Sequence, residues 1–251
     1  MSDNVCYRDA YARSIEATVS AMVETDRGTA VVLERTVFYP GGGGQPSDTG
    51  WLESVGRPAD EPTRGWPVVG AAKQGDDVLH LLGPGSGPPA VGDAVRATID
   101  WERRHLLMRT HTALHALCGV VWRDYRAQVT GGNMEPGAGR MDFEFERMSG
   151  ELVGSIEEAV NRELAAGREV RVKVLPREEA FAIPDLIRTK INLLPEGIKE
   201  VRTIEIVGLD LQADGGTHVA NTAEVGPIRV TGYESKGRIN KRIRIALTGG
   251  G

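Results

Sequence analysis

The sequence predicts an α+β protein. A small N-terminal β-barrel-like domain over residues 1–100 precedes a mixed α+β domain over residues 101–251. Three observations carry this. The first hundred residues hold short apolar or alternating runs with β-branched content, cut by frequent turn signals, as in small barrels and sandwiches. At Trp101 the apolar spacing becomes helical. Beyond it helical and strand patterns alternate, without an internal repeat.

In chain order, Glu16–Glu24 and Thr29–Glu34 read as strands joined by a hairpin turn at Asp26-Arg27-Gly28. Phe38 and Tyr39 lead into a glycine-rich loop, Pro40–Gly50. Pro67–Val69, Val78–Leu82 and Ala94–Ile99 are further short strands, with a loop at Gly83–Pro89. Leu106, Leu107, Thr110, Ala113, Leu114, Leu117, Cys118 and Val121 recur at helical spacing, which predicts a helix from about Glu102 to Trp122. Gly131–Gly139 reads as a loop and Arg140–Glu146 as a strand. Ser149 reads as the N-cap region of a helix over Glu151–Ala166, with Gly167 as its C′ glycine. Val170–Leu175 is a strand and Arg177–Phe181 a short helix. Val201–Val207, Val219–Asn221, Ile228–Tyr233 and Arg242–Ala246 complete the strands.

The chain has 251 residues and a formal net charge of −5, from 30 Lys and Arg against 35 Asp and Glu. A globally basic, histone-like binder is excluded, but local basic patches are not. Two cysteines, Cys6 and Cys118, make neither a disulfide framework nor a four-cysteine zinc site. No run approaches the roughly 18 apolar residues of a membrane span, and the N-terminus lacks a signal-peptide pattern. The expectation is a cytoplasmic protein.

Five histidines supply the chemistry-bearing pattern. His111 and His115 stand at i, i+4 on the predicted helix, so both imidazoles can reach one ion. Asp214-Gly215-Gly216-Thr217-His218 is a glycine turn that can bring Asp214 and His218 to one point. Three imidazoles and a carboxylate suit a tetrahedral zinc ion. An HxxxH pair alone is more often the pattern of solvated or hydrogen-bonded helical histidines. The run Gly41–Gly44 before Gln45 is either a flexible turn or a place where backbone N–H groups approach a ligand. It fits neither the Walker A nor the GxGxxG pattern.

Four segments in order carry a resemblance: FYPGGGGQPSDTG (Phe38–Gly50), RTHTALHAL (Arg109–Leu117), GRMDF (Gly139–Phe143) and ADGGTHVANTAEVG (Ala213–Gly226). The chain resembles the editing domain of alanyl-tRNA synthetase in freestanding form, the AlaX group, in its medium-length type. The resemblance spans about Thr18 to Ala246. It implies a hydrolase that removes a wrong amino acid, serine or in some members glycine, from alanine tRNA. It also implies one zinc ion on an HxxxH pair and the ends of a CxxxH turn, which here fall on His111, His115, Asp214 and His218. Asp214 stands where the family usually has Cys. It either ligates the metal directly or accepts a hydrogen bond beside it. Gly41 stands where members often carry a Thr that helps select serine. Cys118 belongs to the apolar stripe and is read as core.

For the implied ester hydrolysis, zinc either activates water and polarises the carbonyl, or positions the terminal adenosine. Gln45 and Thr217 are the polar candidates for recognising a seryl hydroxyl and for catalysis. Arg238, Lys241 and Arg242 are the main candidates for tRNA phosphates, with Lys236 and Arg244 beside them. Arg103, Arg104, Arg109, Arg188 and Lys190 are further candidates. Two other readings are a tRNA-binding module that keeps the fold without hydrolysis, and a metallohydrolase of small esters or amides. Arg140 and Asp142 are expected to pair, and Glu157–Glu163 to be an exposed helix face.

Overall fold

The structure, a computed structural model, describes residues 2–56, 65–85, 87–186 and 197–249. The expectation for Arg188 and Lys190 lies outside these residues. The chain divides into two compact units. One comprises Met1–Gly42 and Pro46–His105, the other Gly43–Gln45 and Leu106–Gly251.

The first unit contains β1 (Asp3–Asn4), β2 (Ser14–Thr25), β3 (Gly28–Leu33), β4 (Arg35–Thr36), β5 (Gly50–Ser54), β6 (Gly65–Gln74), β7 (Asp77–Leu82) and β8 (Ala94–Ile99). Six of them close a barrel in the order β2-β3-β7-β6-β5-β8, and β1 pairs in parallel with β4. Val19, Val31, Leu33, Leu52, Trp66 and Val95 fill its interior. Register shifts at Val19/Ala21 and Val68/Gly70 mark bulges, which add the curvature that closure needs.

Strand β5 was not expected, because only Trp51 and Leu52 of its five residues are large and apolar. Gly50 opens it, where a Cβ would overlap the carbonyl oxygen of Thr98 on β8. Strand β6 runs well beyond Pro67–Val69 at both ends, since its glycines lie in the ladder and not in turns. Deep in this unit Arg104 pairs with Asp48, both with fully buried side chains. Arg104 also donates to Ala10 O at 2.9 Å and Val37 O at 2.7 Å. It is therefore closed to phosphates, contrary to the expectation. Arg103 donates to Ser47 O at 3.3 Å.

Helix α1 (Trp101–Tyr125) begins in the first unit and continues in the second. Every residue from Leu107 to Val121 is buried, so this helix carries no wide polar face. No helix among the described residues is long and apolar enough to cross a membrane.

The second unit adds β9 (Val129–Glu135), β10 (Ala138–Glu144), α2 (Gly150–Ala165), β11 (Val170–Pro176), α3 (Arg177–Ala182), β12 (Glu200–Ile206), β13 (Asp210–Ala213), β14 (Ile228–Ser235) and β15 (Asn240–Leu247). Two antiparallel sheets result, β14-β15-β10-β9 and β11-β12-β13. Residues 129–135, mostly expected as loop, pair with β10. Gly132 leaves room there for the sulfur of Met141, which a Cβ would push aside. Val219–Asn221 forms no ladder. Asn221 instead caps a 3₁₀ turn (Thr222–Glu224), with a reciprocal bond from its own N–H to Glu224.

Ser149 caps α2 by accepting from Leu152 N–H. Val153, Ile156, Val160 and Leu164 form the buried stripe of that helix. Its polar side is not simply solvated. Asn161 exchanges two hydrogen bonds with the backbone of Ile228, and Glu157 accepts from Val230 N–H, which covers the open edge of β14. Glu163 pairs with Arg123 and Arg168.

Candidate metal centre

Helix α1 uses two adjacent stripes in the second unit. Leu106, Thr110 and Leu114 meet β10 and the turn before it: Gly137 N–H donates to Thr110 Oγ1, and a Cβ on Gly139 would press on Leu114. His111 and His115 lie one position further round. The turn after β13 brings Asp214 and His218 to them. This turn is tethered to β12, since Asp214 N–H donates to Arg202 O at 3.1 Å and Arg202 donates to Asp214 O at 3.0 Å.

His111, His115, Asp214 and His218 each present one ligand atom, all within 4.8 Å of one another. The imidazole centroids lie 4.2 to 5.1 Å apart. Asp214 Oδ1 is 3.6 Å from His111 Nε2, and Oδ2 is 3.2 Å from His218 Nε2. A tetrahedron with bonds of about 2.0–2.1 Å sets its donor atoms roughly 3.3 Å apart, close to the two carboxylate–imidazole distances, so the set could hold a metal ion. Oδ2 also accepts from Gly216 N–H at 2.6 Å, which leaves Oδ1 the less engaged oxygen.

Each far nitrogen faces a polar group, two within hydrogen-bond reach and that of His115 across an ion-pair distance. His111 Nδ1–H donates to Gln45 Oε1 at 3.0 Å. His218 Nδ1 lies 3.1 Å from Thr112 Oγ1. His115 Nδ1 faces Asp210 Oδ2 at 3.2 Å. Each contact directs Nε2 toward the shared point. Gln45 Oε1 also accepts from Thr217 N–H at 3.0 Å, while its Nε2 donates to Thr217 Oγ1 at 2.8 Å. Gln45 and Thr217 thus form a buried pair that braces His111.

Burial is the largest cause lowering both His111 and His218, and it outweighs the opposing pull of Asp214. His111 is lowered to about 4 and His218 falls well below its ordinary value. Burial opposes charge on Asp214 as well, but His111, His218 and His115 outweigh it and hold the carboxylate well below its ordinary range. For His115 burial is outweighed by Asp210 and Asp214, and its pKa is raised. Two neutral imidazoles and an ionised carboxylate are ready to accept a cation without losing protons.

Residues 7–103 match the family described as tRNA synthetases class II (A). Residues 201–244 match the threonyl and alanyl tRNA synthetase second additional domain. The alanyl-tRNA editing protein AlaX-M of Methanosarcina mazei is 35% identical over 251 residues, covering 98% of this chain and 97% of that protein. The protein of the same name from Saccharolobus solfataricus is 35% identical over 247 residues, covering 97% and 98%. The chain belongs to the alanyl-tRNA editing protein family. It is also similar to part of the alanine–tRNA ligase of Ignicoccus hospitalis, 36% identical over 230 residues, or 89% of this chain and 23% of the ligase.

Within this family member, the second matched segment contains both the Asp214–His218 turn and most of the basic hairpin β14–β15. The hairpin differs from a simple cationic face. Lys241 is buried and donates to Gly237 O and Arg238 O, each at 2.8 Å. Arg242 binds both oxygens of Asp142, at 2.7 and 2.8 Å, and Arg140 joins them at 3.1 Å. Arg244 and Lys236 pair with Glu234. Arg238 is exposed. Arg109 is buried and donates to the carbonyls of Val225 and Gly249, so it too is closed to phosphates.

Thr112, Asp210 and the close approach of Gly216 were not read from the sequence. The first was legible in principle, one residue after His111. Asp210 belongs to no spacing pattern.

Proposed function

We propose that this chain hydrolyses the ester linking serine, or alternatively glycine, to alanine tRNA, at a zinc ion held by His111, His115, Asp214 and His218. The observation that carries the reading is the convergence of these four donors, three buried histidines and a half-buried aspartate, in a chain related over nearly its whole length to alanyl-tRNA editing proteins. Zinc in such a site would lower the pKa of bound water and polarise a carbonyl.

The chain's own groups do the rest. Gln45 is a positioning residue, since its carbonyl is committed to His111 and Thr217. Thr217 Oγ1 accepts from Gln45 and keeps its own proton to offer, which makes it the stronger candidate for meeting a seryl hydroxyl. Arg238 is the hairpin residue assigned to tRNA phosphate. Arg242 and Lys241 shape the hairpin that presents it.

The test is deacylation of Ser-, Gly- and Ala-charged alanine tRNA, with and without chelator, beside His111→Ala. Loss of serine or glycine with alanine spared, abolished by chelator and by the substitution, is expected. No turnover with zinc and tRNA both bound would favour a non-catalytic binding module and make Asp214→Cys the next variant.

A further inference from the structure

We infer that Asp210, brought to helix α1 by the absence of a side chain at Gly119, is a positioning residue that fixes the ring of His115 and sets the metal affinity of the site. The inference rests on the zinc assignment above.

Asp210 opens β13 directly after the turn that follows β12, where it lies in register with Ile206 and Leu209 N–H donates to Ile206 O. Its side chain is fully buried. Gln212 Nε2 donates to Oδ2 at 2.6 Å, and His115 Nδ1 lies 3.2 Å from the same oxygen. A buried carboxylate is retained only with partners, and a carboxylate facing Nδ1 favours the tautomer with the proton there. That tautomer leaves the Nε2 lone pair for the metal. Gln45 and Thr112 contact Nδ1 of the other two histidines without charge, so His115 is the one ligand with an anionic partner behind it.

Gly119 explains how the partner reaches it. It lies one helical turn after His115, on the same stripe of α1. A Cβ there would meet Leu209 Cγ at 2.9 Å, and Asp210 Cβ and Leu209 O at 3.0 Å. Glycine inside a helix costs about 1 kcal/mol relative to alanine. Its presence is accounted for by this contact: the hairpin turn can lie against α1 only where the helix has no side chain.

The experiment uses the full chain, stripped of metal, with Asp210→Ala, Asp210→Asn, Gly119→Ala and His115→Ala. Zinc affinity is read by chelator competition, and ligand geometry by the visible absorption of the Co²⁺ form. Thermal unfolding of each metal-free protein checks that it folds. Asp210→Ala and Gly119→Ala are expected to weaken zinc about 10- to 100-fold and to shift the Co²⁺ bands. Asp210→Asn, which keeps an acceptor oxygen, is expected to recover part of the affinity. A role confined to packing would lower stability and leave both metal readouts unchanged. Wild-type affinity and an unchanged Co²⁺ spectrum in a folded Asp210→Ala or Gly119→Ala, with His115→Ala weakened, would overturn the role of Asp210 alone. Unchanged affinity in His115→Ala would overturn the zinc assignment, and this inference with it.

Discussion

Gly215 and Gly216 are neighbours of identical chemistry, yet alanine is expected to weaken the site at Gly216 and to leave it nearly unchanged at Gly215. A Cβ on Gly216 would land on the His111 ring, colliding with its Cε1 and Nδ1, and would lie 2.7 Å from Gln45 Oε1. The ring has no easy retreat, because Gln45 holds its Nδ1 and Thr217 holds Gln45. A Cβ on Gly215 meets nothing within 4 Å. Neither glycine has a positive φ, so backbone conformation admits alanine at both and the difference is purely steric. Overpacking of this kind costs about 1–3 kcal/mol. If that strain falls on His111 as a ligand, Gly216→Ala weakens zinc by roughly 5- to 150-fold. Gly215→Ala stays within about twofold. Chelator competition on the two folded proteins measures it. Equal zinc affinities in the two variants would refute the claim that the turn is packed directly against a ligand ring.

Three further outcomes follow from other parts of the structure. His80 is buried in the barrel, with Nδ1–H donating to Val31 O at 3.0 Å and Nε2 lying 2.7 Å from Thr36 Oγ1, and burial lowers its pKa from 6.5 to about 4. Between those values the unfolded chain binds more protons than the folded one. Stability therefore falls as pH drops from 6.5 toward 4, by about 3 kcal/mol from this group. Urea unfolding should show that His80→Gln has a shallower pH dependence there, and a slope equal to wild type would contradict it. On the hairpin, Arg238→Ala should weaken tRNA binding and reduce its salt slope by about one. Arg242→Ala should lower the melting temperature by removing two of the three bonds to Asp142 and leaving it only Arg140. Filter binding across salt concentrations, with thermal melts, separates the two; an unchanged slope in Arg238→Ala would count against the phosphate contact.

The fold was most legible where spacing is local. Strand β8 matches its expected span, Ser149 caps α2 as read, and Gly167 has the positive φ of a C′ residue. Gly41–Gly44 all have positive φ, which accounts for a run of four glycines in one loop. Errors arose where glycine sits in strands, at Gly131 and Gly132 of β9 and at Gly50 of β5, because composition reads a glycine as a turn whether the reason is φ or close approach. Strand β13 has four residues and too little pattern to show. At the site, both halves of the donor set were visible as four-residue spacings, but their meeting depends on the β12–β13 hairpin. Gln45 was noticed for its loop and Thr217 for its motif, but their mutual bond spans the chain. Arg104 and Arg109 show the limit of reading charge from sequence: each looks cationic and surface-bound, and each is spent inside the fold on Asp48 or on carbonyl groups.

The most direct measurement is a titration of the metal-free protein with zinc, read as the rate of Ser-tRNA(Ala) deacylation. The rate should start near zero, rise linearly and level off at about one equivalent, and His111→Ala should stay flat throughout. Full activity before any zinc is added, or a His111→Ala curve that follows wild type, would contradict a four-residue metal centre as the seat of the reaction.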